Sequence, residues 1–261
     1  MITIRNIIES IEAQAPLSIQ ERWDNSGLQL GHADAECSGA LLCIDVNEEI
    51  ISEAISLGYN LIISHHPLLF KGLKSITGKS CTERIVENAI KHGIAIYSAH
   101  TSMDSASNGV SQRMAAKLGL TDVQVLVPQS EANPVTGLGC IGNCSPTPAA
   151  ELLAAAKQAF GVQKLRYCGN TDVTVTRVAV AGGSCAEFCG NAAAAGAQLF
   201  LTADLKYHEM IIASESLIIA DLGHFESEQF TKEIFLEIIQ KKFPNFAVQN
   251  AKHDTNKIKY L

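Results

Sequence analysis

ALLCIDVNEEIISEAISLGYNLIISHHP (residues 40–67) carries the architecture of this chain in one unbroken run. Two continuous apolar segments flank an amphipathic one, which predicts a strand over 40–46, a helix over 48–58 and a second strand over 60–66. The strands are apolar throughout rather than alternating, as parallel strands covered on both faces are. Gly58 supplies the helix stop just before the second strand. Downstream, ERIVENAIKHG (83–93) reads as a helix stopped by Gly93, and IAIYSAH (94–100) as a third strand.

The same order recurs in the second half. RVAVAGGS (177–184), a helix over 186–196 ending at Gly196, QLFLTAD (198–204), a helix near 207–216 and SLIIADLGH (216–224) follow one another. The predicted fold class is therefore α/β, with two pseudo-repeated α/β halves and mostly parallel sheets. Residues 1–125 form an N-terminal half, and 126–261 hold a linker plus the C-terminal half, together one compact unit. Right-handed crossovers place successive strand C-termini on one sheet edge, where open α/β sheets take their ligands. A metal site between the halves, at those strand ends, is the expectation.

The intervening stretch, 125–176, reads as a linker and peripheral strands. It includes a helix over 149–160 with Thr147 as its cap and Pro148 at its first position. MITIRNIIESIEAQAP (1–16) reads as a capped amphipathic helix and lacks the basic start and apolar stretch of a signal peptide. KFPNFAVQNAKHDTNKIKYL (242–261) reads as an edge strand and tail, with His253 at the surface.

Composition narrows the function. The chain has 261 residues, 47% hydrophobic and 18% charged, with a formal net charge of -7. An acidic chain without basic runs is a poor nucleic-acid partner, and no segment approaches the ~20 apolar residues of a membrane span. The eight cysteines form no C-x-x-C pair, which excludes a zinc ribbon and fits free thiols in a reducing cytoplasm.

Chemistry concentrates at the strand ends. His65–His66 closes the second strand, and Pro67 forces a turn that lets neighbouring imidazoles meet different metals. His100 to Asp104 (HTSMD) follows the third strand, and His224 to Glu228 (HFESE) follows its counterpart in the second half. A lone His–carboxylate pair four residues apart is a weak signal; its recurrence at matching positions is a strong one. Imidazole with carboxylate suits zinc, iron, manganese or nickel. The six candidates exceed one tetrahedral ion and match two divalent metal ions roughly 3.5–4 Å apart. Glu228 is assigned the bridge, with His224 and His65 on one ion and His66 and Asp104 on the other. A water shared by two such ions falls in pKa from about 15.7 toward neutrality and becomes a nucleophile.

Several residues have open roles. His100 is a ligand, a general acid/base or a group supporting a ligand from behind, the last being the first choice. Asp204 and His208, in LTADLKYH, take a substrate or proton-transfer role or form a polar rim. In ERWDNSGLQLG (21–31), Trp23 belongs either to the core or to a tight turn in which Asp24, Asn25 and Gly27 bring polar groups to a ligand.

Taken together, E-x-W-D-N-x-G-L-x-x-G at 21–31, I-I-S-H-H-P-L at 62–68 and A-H-T-x-x-D at 99–104 resemble a known family. G-V at 109–110, G-G-S at 182–184, L-T-x-D at 201–204 and G-H-x-x-x-E at 223–228 extend the match over nearly the whole chain. The family is that of the GTP cyclohydrolase 1 type 2 homologues, also called YbgI-like or NIF-three-like. The resemblance implies a dinuclear metal centre on residues matching His65, His66, Asp104, His224 and Glu228. It also implies a toroidal homohexamer, a trimer of dimers with metal sites facing an internal cavity, in the short form without an inserted domain.

The family name implies hydrolytic opening of the guanine imidazole ring of GTP, with release of formate and formation of dihydroneopterin triphosphate. No Gly-rich phosphate loop accompanies the site, and Lys71, Lys74 and Lys79 are the nearby cations. The leading reading is a metal-dependent hydrolase acting on GTP or another small heterocycle or phosphate ester. The alternative is a non-catalytic metal-binding scaffold or regulatory adaptor. A ring enclosing single-stranded nucleic acid is opposed by the acidic balance.

Overall fold

A computed structural model of the chain describes residues 1–214 and 217–261. In chain order it begins α1 (Ile4–Glu12), β1 (Gly27–Leu30), β2 (Ala40–Cys43), α2 (Glu48–Leu57), β3 (Leu61–Ser64), α3 (Cys81–Lys91) and β4 (Ala95–Ser98). It continues α4 (Thr101–Ser105), α5 (Val110–Lys117), β5 (Thr121–Ser130), β6 (Asn133–Pro148), α6 (Ala149–Ala159), β7 (Arg166–Cys168) and β8 (Thr174–Ser184). It closes α7 (Cys189–Ala194), β9 (Leu199–Ala203), α8 (Tyr207–Ala213), β10 (Ile218–Asp221), α9 (His224–Glu228), α10 (Thr231–Lys242) and β11 (Val248–Asn250). The expected end of the helix near 216, and the expected strand start there, fall on Glu215 and Ser216, outside the described residues.

The fold is mixed α/β, in two compact units. The first comprises Met1–Met103 and Thr231–Thr255. Its five-stranded sheet runs β1-β4-β3-β2-β11, parallel except for β1 against β4. Every residue of β2, β3 and β4 is buried. Leu41, Ile62 and Ile96 pack with Ile50, Ile51 and Ala54 of α2 and with Ile85 and Ala89 of α3. Asn47 accepts the Ile50 backbone N–H at 3.0 Å to start α2, and Gly58, at φ 69°, stops it. The β11 edge strand lies beside β2, and His253 beyond it is exposed, both as read from the sequence.

The second unit comprises Asp104–Phe230 and Asn256–Leu261. Its sheet runs β5-β6-β8-β9-β10-β7. Here the expectation of a mostly parallel sheet fails. β8, β9 and β10 are parallel neighbours, but β5–β6, β6–β8 and β7–β10 are antiparallel. The physical reason is local: β5 and β6 are joined by a short turn, and strands joined so tightly can only pair antiparallel. The Thr147 cap is also overturned. β6 runs on through Pro148, so the Thr147 hydroxyl donates to the Ser145 carbonyl at 2.8 Å, and Pro148 stands one place ahead of α6.

Among the described residues no helix is long and apolar enough to cross a membrane. All eight cysteines are free thiols.

Candidate metal centre

In the first unit, β3 and β4 are in register, Ser64 opposite Ser98, so the chain leaves both strands at the same sheet edge. The two hydroxyls lie 2.8 Å apart, and Ser64 also donates to the His66 carbonyl at 2.8 Å. The turn after β3 is thus tied down on both sides, and it delivers His65 and His66 beside His100. The imidazole centroids are 5.0–5.4 Å apart, and one candidate ligand atom from each of the three lies within 4.8 Å of the others.

Orientation is the more telling feature. His65 Nδ1 meets the Ala99 carbonyl at 3.0 Å, His66 Nδ1 meets Asp45 Oδ1 at 2.8 Å, and His100 Nδ1 meets Asp24 Oδ1 at 2.8 Å. Carbonyls and carboxylates only accept, so each imidazole carries a proton on Nδ1, and in its neutral form the lone pair lies on Nε2. That is how protein scaffolds prepare histidines for a metal. His100, expected first as a supporting donor, has a carboxylate of its own and the disposition of the other two.

Asp24 shows how much structure stands behind one ligand-type imidazole. Its side chain is fully buried, at 0% exposure. Besides His100 it accepts the Thr101 backbone N–H at 3.0 Å, the Thr101 hydroxyl at 2.6 Å and the Ser26 hydroxyl at 2.9 Å. Burial would raise this carboxyl, but the His100 and Thr101 hydrogen bonds and the His100 charge outweigh it and hold the group well below the usual carboxylate range. A depressed carboxylate contributes stability above its unfolded value of about 3.9, and the contribution disappears as pH falls through the folded value. Asp24→Asn is expected to weaken metal affinity by about 10–100-fold and to flatten the acid limb of the unfolding profile. Metal titration and thermal melts from neutral pH downward check both; unchanged affinity would make Asp24 purely structural.

Trp23, next to this aspartate, is 60% exposed, which rules out its reading as a core residue.

In the second unit, β8, β9 and β10 end on one edge and carry Gly182–Gly183–Ser184, Asp204 and His224. Asp204 has φ 56°, a left-handed conformation that Asp tolerates better than most side chains, and its Oδ2 meets His224 Nδ1 at 2.7 Å. His224 Nε2 faces Glu228 Oε2 at 3.0 Å, one helical turn along α9. Glu228 is only 2% exposed. Thr202 donates to the Gly183 carbonyl at 3.0 Å, Gly183 N–H donates to the Ser227 hydroxyl at 2.9 Å, and Ser227 donates to the His224 carbonyl at 2.8 Å.

Asp104, half-buried in α4, acts with Glu228 on a common neighbour. Burial first, then the charges of Asp104, Glu187 and Glu228, push the Cys185 thiol far up. His208 stands exposed on the first turn of α8, its ring 5.2 Å from that of Tyr207.

The residues present fit a first-row divalent metal. Both units offer imidazole nitrogens, the second adds carboxylate oxygen, and every one of these histidines is braced at Nδ1. Sequence reasoning missed Asp45 as a brace. The available signal was a carboxylate just past the apolar run of the first strand, two places before the helix cap Asn47.

A family model described as Duf34/NIF3 (NGG1p interacting factor 3) matches residues 2–257. The GTP cyclohydrolase 1 type 2 homolog of Clostridium perfringens is 34% identical over 227 residues, covering 86% of each chain. Among solved structures, Staphylococcus aureus protein SA1388 superposes with a TM-score of 0.91 at 24% identity, over 100% of this chain and 99% of that one. A Bacillus cereus protein related to NIF3 gives the same score, identity and coverage. At that identity the two structures establish the fold.

Proposed function

The chain belongs to the Duf34/NIF3 family, and from that premise we propose that it is a metal-dependent hydrolase that binds a pair of divalent ions. The ions would be held by His65, His66, His100, Asp104, His224 and Glu228, with His100 a ligand rather than a supporting donor. One observation carries the reading: four histidines from three strand ends each turn Nδ1 onto an accepting oxygen. Histidines that merely fill a core have no need of so uniform a tautomer.

When bound, the ions supply Lewis acidity and a water acidified toward neutral pH. The chain's own contribution is orientation and proton custody. Asp24, Asp45 and Asp204 hold the Nδ1 protons of His100, His66 and His224, and the buried Glu228 supplies negative charge beside His224. Asp204 thereby acts as a positioning residue, and the exposed His208 is kept as a candidate for proton transfer to or from substrate. The reaction class is hydrolysis of a small heterocycle or phosphate ester. GTP is the first substrate to test because the relatives bear the name GTP cyclohydrolase 1 type 2 homolog. A cytoplasmic location suits eight free thiols, and the toroidal homohexamer is carried over from the family resemblance.

Protein purified without chelator is expected to contain about two ions per chain. Chelation is expected to remove about 2.7 kcal/mol of stability for each site held at a hundred times its dissociation constant, a fall of roughly 5–10 °C in Tm per site. Metal-loaded protein incubated with GTP should then release formate. Absence of metal would sink the hydrolase reading outright, whereas tightly bound ions with no turnover would leave the non-catalytic scaffold.

A further inference from the structure

Two large aromatic side chains stand in solvent beside the histidine trio of the first unit. Trp23 is 60% exposed and Phe70 is 47% exposed. Their centroids are 6.0 Å apart, and each ring meets His100, Trp23 at 5.9 Å and Phe70 at 6.4 Å. All three contacts are edge-to-face, with interplanar angles of 61–77°. The favourable edge contacts are thus made among the three rings themselves, while Trp23 and Phe70 keep surface open to solvent.

This exposure is built in. Asn25 Nδ2 donates to the Leu69 carbonyl at 2.8 Å, and the Leu69 N–H donates to Gln29 at 3.2 Å, so the segment carrying Phe70 is tied to the turn carrying Trp23. The other end of that turn is held by the Ser26 N–H donating to Gln20 at 2.8 Å and by the Glu21 N–H donating to the Thr101 hydroxyl at 2.9 Å. Asp24, the residue after Trp23, is the one that orients His100. A single braced turn therefore sets both a ligand-type imidazole and the ring beside it.

We propose that Trp23 and Phe70 form a stacking wall for a flat heteroaromatic ring, placing that ring against the His65–His66–His100 cluster. The inference rests on the metal-site reading for what the bound ring faces, and it names the substrate class: a heterocycle of nucleobase type rather than an aliphatic phosphate ester. Stacking on aromatic side chains tolerates any base, because every base has a π face. Discrimination among bases falls to other groups. Lys71, exposed and directly after Phe70, is the next cation along the chain.

The chain's only tryptophan is Trp23, so intrinsic fluorescence reports on this wall alone. Metal-free and metal-loaded protein would be titrated with GMP, with ribose 5-phosphate as the control that has the phosphate and sugar but no base. Saturable quenching by GMP and none by ribose 5-phosphate is expected. Calorimetry should show GMP binding weakened about tenfold or more by Trp23→Ala and largely retained by Trp23→Phe. Phe70→Ala, which keeps the reporter, should reduce the quenching affinity. Emission already shifted to the blue and indifferent to GMP would mean that Trp23 is covered by another copy of the chain, and would overturn the proposal. Equal binding of GMP by the wild type and Trp23→Ala would overturn it as well. Quenching in a protein that takes up no metal would sink the metal reading and leave the wall standing; bound metal without quenching would do the reverse.

Discussion

Glu228→Gln is expected to strip the protein of at least half its metal while leaving it folded. Glutamine matches glutamate in volume, so at a side chain only 2% exposed the change removes charge and leaves the packing. Loss of a bracing partner typically weakens a metal site 10–100-fold; loss of an anionic ligand should exceed that. The metal-free proteins make the comparison decisive. A buried carboxylate costs desolvation when no cation compensates it, so without metal the variant should melt within a few degrees of the wild type. With metal, the wild type should gain stability and Glu228→Gln should not. Elemental analysis beside thermal melts with and without chelator gives both readings. A variant that loads metal like the wild type would remove Glu228 from the ligand set.

Gly183→Ala should do comparable damage by a steric route. Gly183 has φ +69°, and a Cβ built there would lie 2.3 Å from Glu228 Oε1, 3.3 Å from its Cδ and 3.6 Å from His224 Cε1. The backbone has little room to retreat, held by Thr202 on its carbonyl and Ser227 on its N–H. The added methyl must push Glu228 away from His224. Left-handed backbone and overpacking together are expected to cost about 2–5 kcal/mol, with metal lost as in Glu228→Gln. Gly182→Ala is the control. There the Cβ would meet Val110 Cγ1 at 2.9 Å and stay 3.5 Å from Glu228 Cγ, so stability should fall while metal is retained. If Gly183→Ala binds metal normally, Gly183 is not shaping a ligand.

Family membership was legible from the chain alone, because its motifs sit where close approach leaves few residue choices. The G-G-S at 182–184 is one such motif; its reason, the lack of room at Gly183 beside Glu228, is a fact of packing. The parallel strands β2, β3 and β4 were equally legible, since unbroken apolar runs ending at glycine-stopped helices leave few alternatives. The second sheet was less so, because a hairpin and a linker with peripheral strands have similar composition, and only pairing tells them apart.

Local spacing alone established the candidate donors: His65–His66, the two His–carboxylate pairs four residues apart, and their location at strand ends. Their surroundings were decided in three dimensions. His100 meets Asp24, 76 residues away in sequence; His66 meets Asp45, 21 residues away; Trp23 is exposed and not in the core. Periodicity encodes which face of an element is apolar, over a few turns at most. An imidazole's tautomer and a tryptophan's exposure depend on partners that chain folding brings close, and no short-range pattern records them.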